Sequence, residues 1–164
     1  MMARMLSRVL ISGLFVFWAA QLGATVLVPA DLSELSRDAG AIVRGQVVAT
    51  ESRWTADRRS IETLVTVEVE TSLKGSLGST VQFLVPGGTL GRYRNVVIGA
   101  PAFDTGQRVV VFLGWTGPSY PYLLGLSQGV FRVLPNAAGT AWMVRQTPLA
   151  EFEQRVRTLA GGLR

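Results

Sequence analysis

The chain has 164 residues, 48% hydrophobic and 16% charged, with 16 lysines or arginines against 11 aspartates or glutamates. It contains no cysteine and no histidine. That removes disulfides, thiolate metal sites, thiol nucleophiles, and both the commonest general base and the commonest metal ligand, while the length favours a single domain.

The first 24 residues read as a secretory signal, with a retained N-terminal anchor helix as the alternative. Arg4 and Arg8 supply the basic start, Val9–Ala20 an uncharged apolar run, and Gln21–Ala24 a small-residue exit, with cleavage expected after Ala24. The apolar run of 12 residues is shorter than the roughly 20 that a bilayer-crossing helix needs. Acylation is excluded because no cysteine follows it. The sequence therefore predicts an exported protein, periplasmic or extracellular, with no membrane span after cleavage and no disulfides. Taking 24 from 164 leaves 140 residues, and losing two of the 16 basic residues leaves 14 against 11, a net charge of +3. No basic stripe with interleaved aromatics is present, so no nucleic-acid partner is expected.

In the mature segment, 25–164, Thr25–Val28 reads as a short strand or arm, interrupted by Pro29. Asp31 followed by Glu34 has capping-box spacing and predicts a short helix with Leu32 and Leu35 on one face, ending near Gly40. Two alternating runs, Ala41–Trp54 and the segment ending at Lys74-Gly75, flank a polar turn and predict a β-hairpin. Val43, Gly45, Val47 and Ala49 are expected inward on the first strand, with Gly45 marking a bend. Val65, Val67, Val69 and Leu73 are expected inward on the second.

Thr80–Val85 alternates again, with Val81, Phe83 and Val85 inward. Thr89–Arg94 reads as irregular and Asn95–Ile98 as a short strand. Arg108–Leu113 is continuously apolar after its first residue, the pattern of a strand buried on both sides. Trp115–Pro121 reads as a loop, and Tyr122–Leu126, Val130–Leu134 and Ala141–Arg145 as strands. Thr147-Pro148 predicts the start of an amphipathic helix over 148–160, with Leu149, Phe152, Val156 and Leu159 apolar and Glu151, Glu153, Arg155 and Arg157 wet. Many short strands with two flanking helices predict a mainly β, small closed antiparallel barrel of the OB type.

Asp38–Val48 (DAGAIVRGQVV), Val67–Gly75 (VEVETSLKG) and Asp104–Leu113 (DTGQRVVVFL) resemble the netrin-like domain of tissue inhibitors of metalloproteinases and complement proteins. The pattern also resembles exported bacterial proteins of that build. The resemblance, over roughly residues 38–134, implies an OB-like barrel. It implies no inhibitory residue, because those inhibitors use an N-terminal cysteine and several disulfides that this chain lacks.

Chemistry-bearing patterns are few. Lys74, the only lysine, follows Ser72 by two residues, as in a Ser/Lys dyad, but its place before Gly75 fits a solvated turn lysine. Glu68 and Glu70 share a strand face, which suits a carboxylate pair or simply a wet face. Gly87–Arg94 carries Arg92 and Arg94 in a glycine-rich stretch with no following helix; it reads as an ordinary connection between strands, with an anion contact as the alternative. Trp54, Tyr93, Trp115, Tyr120 and Tyr122 fall at strand ends or loops; clustered on one end they would form a recognition surface for protein, peptide or glycan, and otherwise would plug the ends. The candidate binding residues are therefore Trp54, Arg92, Tyr93, Arg94, Trp115 and Tyr120, with no catalytic residue, metal or cofactor expected. The function expected is a non-catalytic binding module of the bacterial cell envelope, for an unidentified protein or envelope polymer. A protease inhibitor or protease-associated accessory protein is the alternative that the resemblance suggests, and a carboxylate-based hydrolase the second.

Overall fold

The computed structural model describes residues 31–117 and 120–161; the expected signal, its cleavage point and the Thr25–Val28 arm lie outside them. The described residues are mainly β with two α-helices. Helix α1 (Leu32–Asp38) leads into β1 (Ala41–Trp54), β2 (Ile61–Lys74), β3 (Thr80–Pro86), β4 (Gly88–Leu90), β5 (Tyr93–Asn95), β6 (Arg108–Gly114) and β7 (Tyr122–Leu123). A 3-10 turn (Leu126–Gly129) precedes β8 (Val130–Pro135), β9 (Trp142–Val144), β10 (Thr147–Pro148) and α2 (Leu149–Gly161). Eight strands share one sheet in the order β1-β2-β3-β7-β6-β8-β9-β10, and β1 also pairs with β6; β4 and β5 form a separate ribbon. All pairings are antiparallel except β3 with β7.

The β1–β2 hairpin has the predicted limits at its outer end, Trp54 facing Ile61 across the turn. Its register slips at three places, between Ile42 and Val43, Arg44 and Gly45, and Val47 and Ala49. Each bulge adds a residue to one strand and re-aims the side chains beyond it. That is why Ala49 and Val48 are both exposed although Val43, Gly45 and Val47 are buried as expected. It is also why Leu73 joins a different core from Val65 and Val67 despite equal spacing.

The two cores lie on opposite faces of β6. Val109, Val111 and Leu113 pack with Val43, Val47, Val65, Val67, Val81, Phe83 and Val85. Val110 and Phe112 pack with Ile42, Leu73, Phe131, Val133 and the helical residues Leu35, Phe152 and Val156. All five residues from Val109 to Leu113 are fully buried, as the unbroken apolar run predicts. Phe131 links the second core, its ring centroid 5.4 Å from Phe112 and 5.0 Å from Phe152.

Several local expectations are corrected. Asp31 stands at the N-terminus of α1 but makes no side-chain cap. Its carboxylate instead accepts the Ser33 hydroxyl at 2.6 Å, which removes it from the capping box. Thr89–Arg94 is not irregular, since β4 and β5 pair there, and Val96–Ile98 is not a strand. Tyr122–Leu126 shortens to two paired residues before the 3-10 turn. Thr147 and Pro148 pair with β9 and α2 starts one residue later. Glu153 belongs to no wet face: it is buried and accepts Arg44 Nε at 2.6 Å, from 109 residues away.

Candidate functional site

Thr50, Ser52 and Trp54 share one face of β1, because strand residues two apart point the same way. Thr63 faces Ser52 across the hairpin. Over this pair passes Gly88, at a φ of 145°, with Gly87 before it. A Cβ on Gly88 would fall 2.5 Å from Thr63 Oγ1 and 2.6 Å from Ser52 Oγ, so only glycine lets the chain cross here. The crossing turns β3 into the β4–β5 ribbon, which places Thr89 directly opposite Arg94.

The ribbon, the outer half of the hairpin and the Val96–Phe103 segment enclose a half-open cleft of about 420 Å³. Its polar lining is Thr50, Ser52, Thr63, Thr89, Arg94 and Asn95; its apolar lining includes Val85, Val97, Pro101 and Phe103. The hydrogen bonds fix which groups are free. Thr63 Oγ1 donates to Gly87 O at 2.7 Å. A hydroxyl has one proton, so in the 3.2 Å contact between Ser52 Oγ and Thr63 Oγ1 the donor is Ser52. Ser52 keeps accepting lone pairs. Asn95 is anchored by donation from Nδ2 to Ser60 Oγ. Arg94 is exposed and, among the described residues, forms no ion pair. Among the described residues no carboxylate lines the cleft.

The six candidate residues do not form one surface. Trp54 meets Tyr93 edge to face at 5.4 Å, and Arg92 lies 5.1 Å over the Tyr93 ring while donating to its hydroxyl at 2.9 Å. Arg53, the neighbour of Trp54, lies 5.5 Å over Tyr120. Adjacent strand residues point to opposite faces, so Tyr93 and Tyr120 approach the hairpin from opposite sides. Trp115 packs over Gly40, just before the start of β1 and far along that strand from Trp54, and Tyr122 lies against Gly114. The structure thus joins Trp54, Arg92 and Tyr93 with Arg94 beside the cleft, and separates Trp115 and Tyr120 from them.

The other chemical patterns resolve into structural contacts. Glu70 pairs with Arg44 and, at 2.7 Å, with Arg108, while Glu68 is exposed, so the two carboxylates share no site. Lys74 is neither a turn lysine nor a partner of Ser72: Nζ donates to the carbonyls of Ser36 at 3.0 Å and Arg37 at 2.7 Å, capping the last turn of α1. In the hairpin turn, the Thr55 hydroxyl and the Arg59 amide hold the Asp57 carboxyl below the usual carboxylate range. Among the described residues no three histidine, cysteine, aspartate or glutamate side chains are grouped to hold a metal ion, and no helix is long and apolar enough to cross a membrane.

Residues missed in the sequence are Thr50, Ser52, Thr63, Thr89 and Asn95. Hydroxyls at two-residue spacing beyond the apolar part of β1 were the available signal, and they look the same as a solvated face. The chain matches no protein-family model and no curated protein sequence.

Proposed function

We propose that the protein is an exported, non-catalytic binding module of the cell envelope, built on an OB-like barrel, that holds its ligand along the outer end of the β1–β2 hairpin. The closed-barrel reading is supported by the pairings β1–β2, β2–β3, β3–β7, β7–β6 and β6–β1, which lead back to the starting strand, with β3 and β7 parallel. In OB barrels the face of the second and third strands and the loops after the first and fourth strands take polymeric ligands. Here the cleft lies at the outer end of the β1–β2 hairpin beside the β4–β5 ribbon, and Arg53 of β1 meets Tyr120 of the β6–β7 connection on the other side of the hairpin.

The observation that carries the reading is the exposed Trp54–Tyr93 pair at the end of the same strand face that lines the cleft. A cleft of this volume with convergent polar groups is the usual form of a ligand site, and an aromatic pair at its end offers a surface for a ring or an apolar side chain. The carboxylates Glu62, Glu70 and Glu153 are each committed to arginine partners away from the cleft, which favours binding over acid–base chemistry.

Titration of the full chain with solubilised envelope polysaccharide and with envelope peptide fractions tests this, read by tryptophan emission and by calorimetry. Binding should be saturable, and Trp54→Ala and Tyr93→Ala should each weaken it by about tenfold. Equal affinity in both variants would remove the site.

A further inference from the structure

The polar lining of the cleft says what chemistry the ligand carries. Arg94 is the one ionised side chain among the lining residues; it is exposed, opposite Thr89 on the ribbon, and among the described residues has no carboxylate partner. The remaining polar lining is hydroxyl and amide: Thr50, Ser52, Thr63 and Asn95. Ser52 offers lone pairs to a ligand hydroxyl, since its own proton is spent on Thr63. Trp54, on the β1 face that carries Thr50 and Ser52, meets Tyr93 of β5 edge to face beyond the lining residues. An unpaired guanidinium, hydroxyl acceptors and an aromatic end together match a ring that bears a carboxylate and hydroxyls.

We infer that the cleft is the subsite for a uronate residue of an acidic polysaccharide, its carboxylate held by Arg94 and its ring hydroxyls by Ser52 and its neighbours. This rests on the binding-module reading above and narrows it to one ligand class. An acidic peptide fits less well. A peptide adding to the ribbon would find only the three paired residues of β4 or β5. Arginine binds carboxylates with two parallel hydrogen bonds that lysine cannot reproduce.

The test is calorimetric titration of the full chain with short oligogalacturonate, with a malto-oligosaccharide of equal length as the uncharged control and with poly-L-glutamate. Oligogalacturonate should bind, weaken as salt rises, and lose about tenfold or more in Arg94→Gln, with little recovery in Arg94→Lys. Both variants should melt with the parent, because Arg94 is exposed and unpaired. Ser52→Ala should lower affinity for the same oligomer without changing its salt dependence. Unchanged affinity in Arg94→Gln, equal binding of the malto-oligosaccharide, or tighter binding of poly-L-glutamate would each overturn the uronate subsite. If Arg94→Gln is silent but Trp54→Ala still abolishes binding of the envelope fractions, the subsite falls and the binding-module reading stands. If both are silent, both fall.

Discussion

Replacing Gly45 with alanine tests how closely β1 and β2 approach. Gly45 is buried mid-strand and faces Val69 on β2 and Val109 on β6. An added Cβ would fall 2.1 Å from the carbonyl oxygen of Glu68 and 2.6 Å from Val67 Cγ1. The valine methyl can rotate away; the carbonyl cannot, because it belongs to the neighbouring strand. The strands must separate or slip, and a slip carries the flanking bulges with it. Overpacking of this kind costs about 3 kcal/mol, the upper part of the usual range, because the clash is with backbone. A domain of this size loses roughly 2–4 °C per kcal/mol, so Tm should fall by about 6–12 °C. Urea denaturation followed by circular dichroism, with a thermal scan alongside, measures both quantities. Gly161→Ala is the control, since nothing lies within 4 Å of a Cβ there and the position ends a helix. It should be neutral or slightly stabilising. A Gly45→Ala variant within about 1 kcal/mol of the parent would refute the close approach and the bend it implies.

Lys74→Met should cost about 1 kcal/mol by leaving the Ser36 and Arg37 carbonyls without their cation, measured by denaturant unfolding. Glu153→Gln should cost more, about 2–3 kcal/mol, because Arg44 loses a charged partner in a half-buried network that also holds Glu70 and Arg157; Glu153→Asp should not rescue it. Asp57 should titrate below an ordinary aspartate by NMR, and Thr55→Val should move it upward. Its folded pKa is depressed, so the stability it contributes is present above the unfolded pKa and is lost as pH falls through the folded one. A Thr55→Val chain with an unmoved Asp57 titration would show that the hydroxyl is not the cause.

The hairpin and β6 were legible because their signals are local. Alternation in Val65–Val69 reports one buried face, and the unbroken run Val109–Leu113 reports two. The roles of Lys74 and Glu153 were not, because their partners lie 37 to 109 residues away and a lone charge on a periodic segment looks solvated whatever it will meet. The bulges were equally hidden: period-two reading assumes an even ladder, and each added residue reverses the phase beyond it. Of the candidate site, Trp54, Tyr93, Arg92 and Arg94 were found by type. That Trp115 and Tyr120 stand apart depends on which face of which strand each approaches. The ribbon that closes the cleft depends on glycines crossing a hydroxyl pair in another strand.

Strand β6 is a shared wall, with one set of side chains in each core and no residue to spare between them. A loosening on one side therefore removes support from the other. The helices α1 and α2 cannot detach as a separate unit without exposing Val110 and Phe112, and the facing core cannot open without shifting the backbone that carries those same residues. The two compartments should melt in one transition, with the β6 amides the last to exchange with solvent. Ligand bound at the far end of the hairpin would then slow exchange in the helical layer as well, through a strand that it never touches.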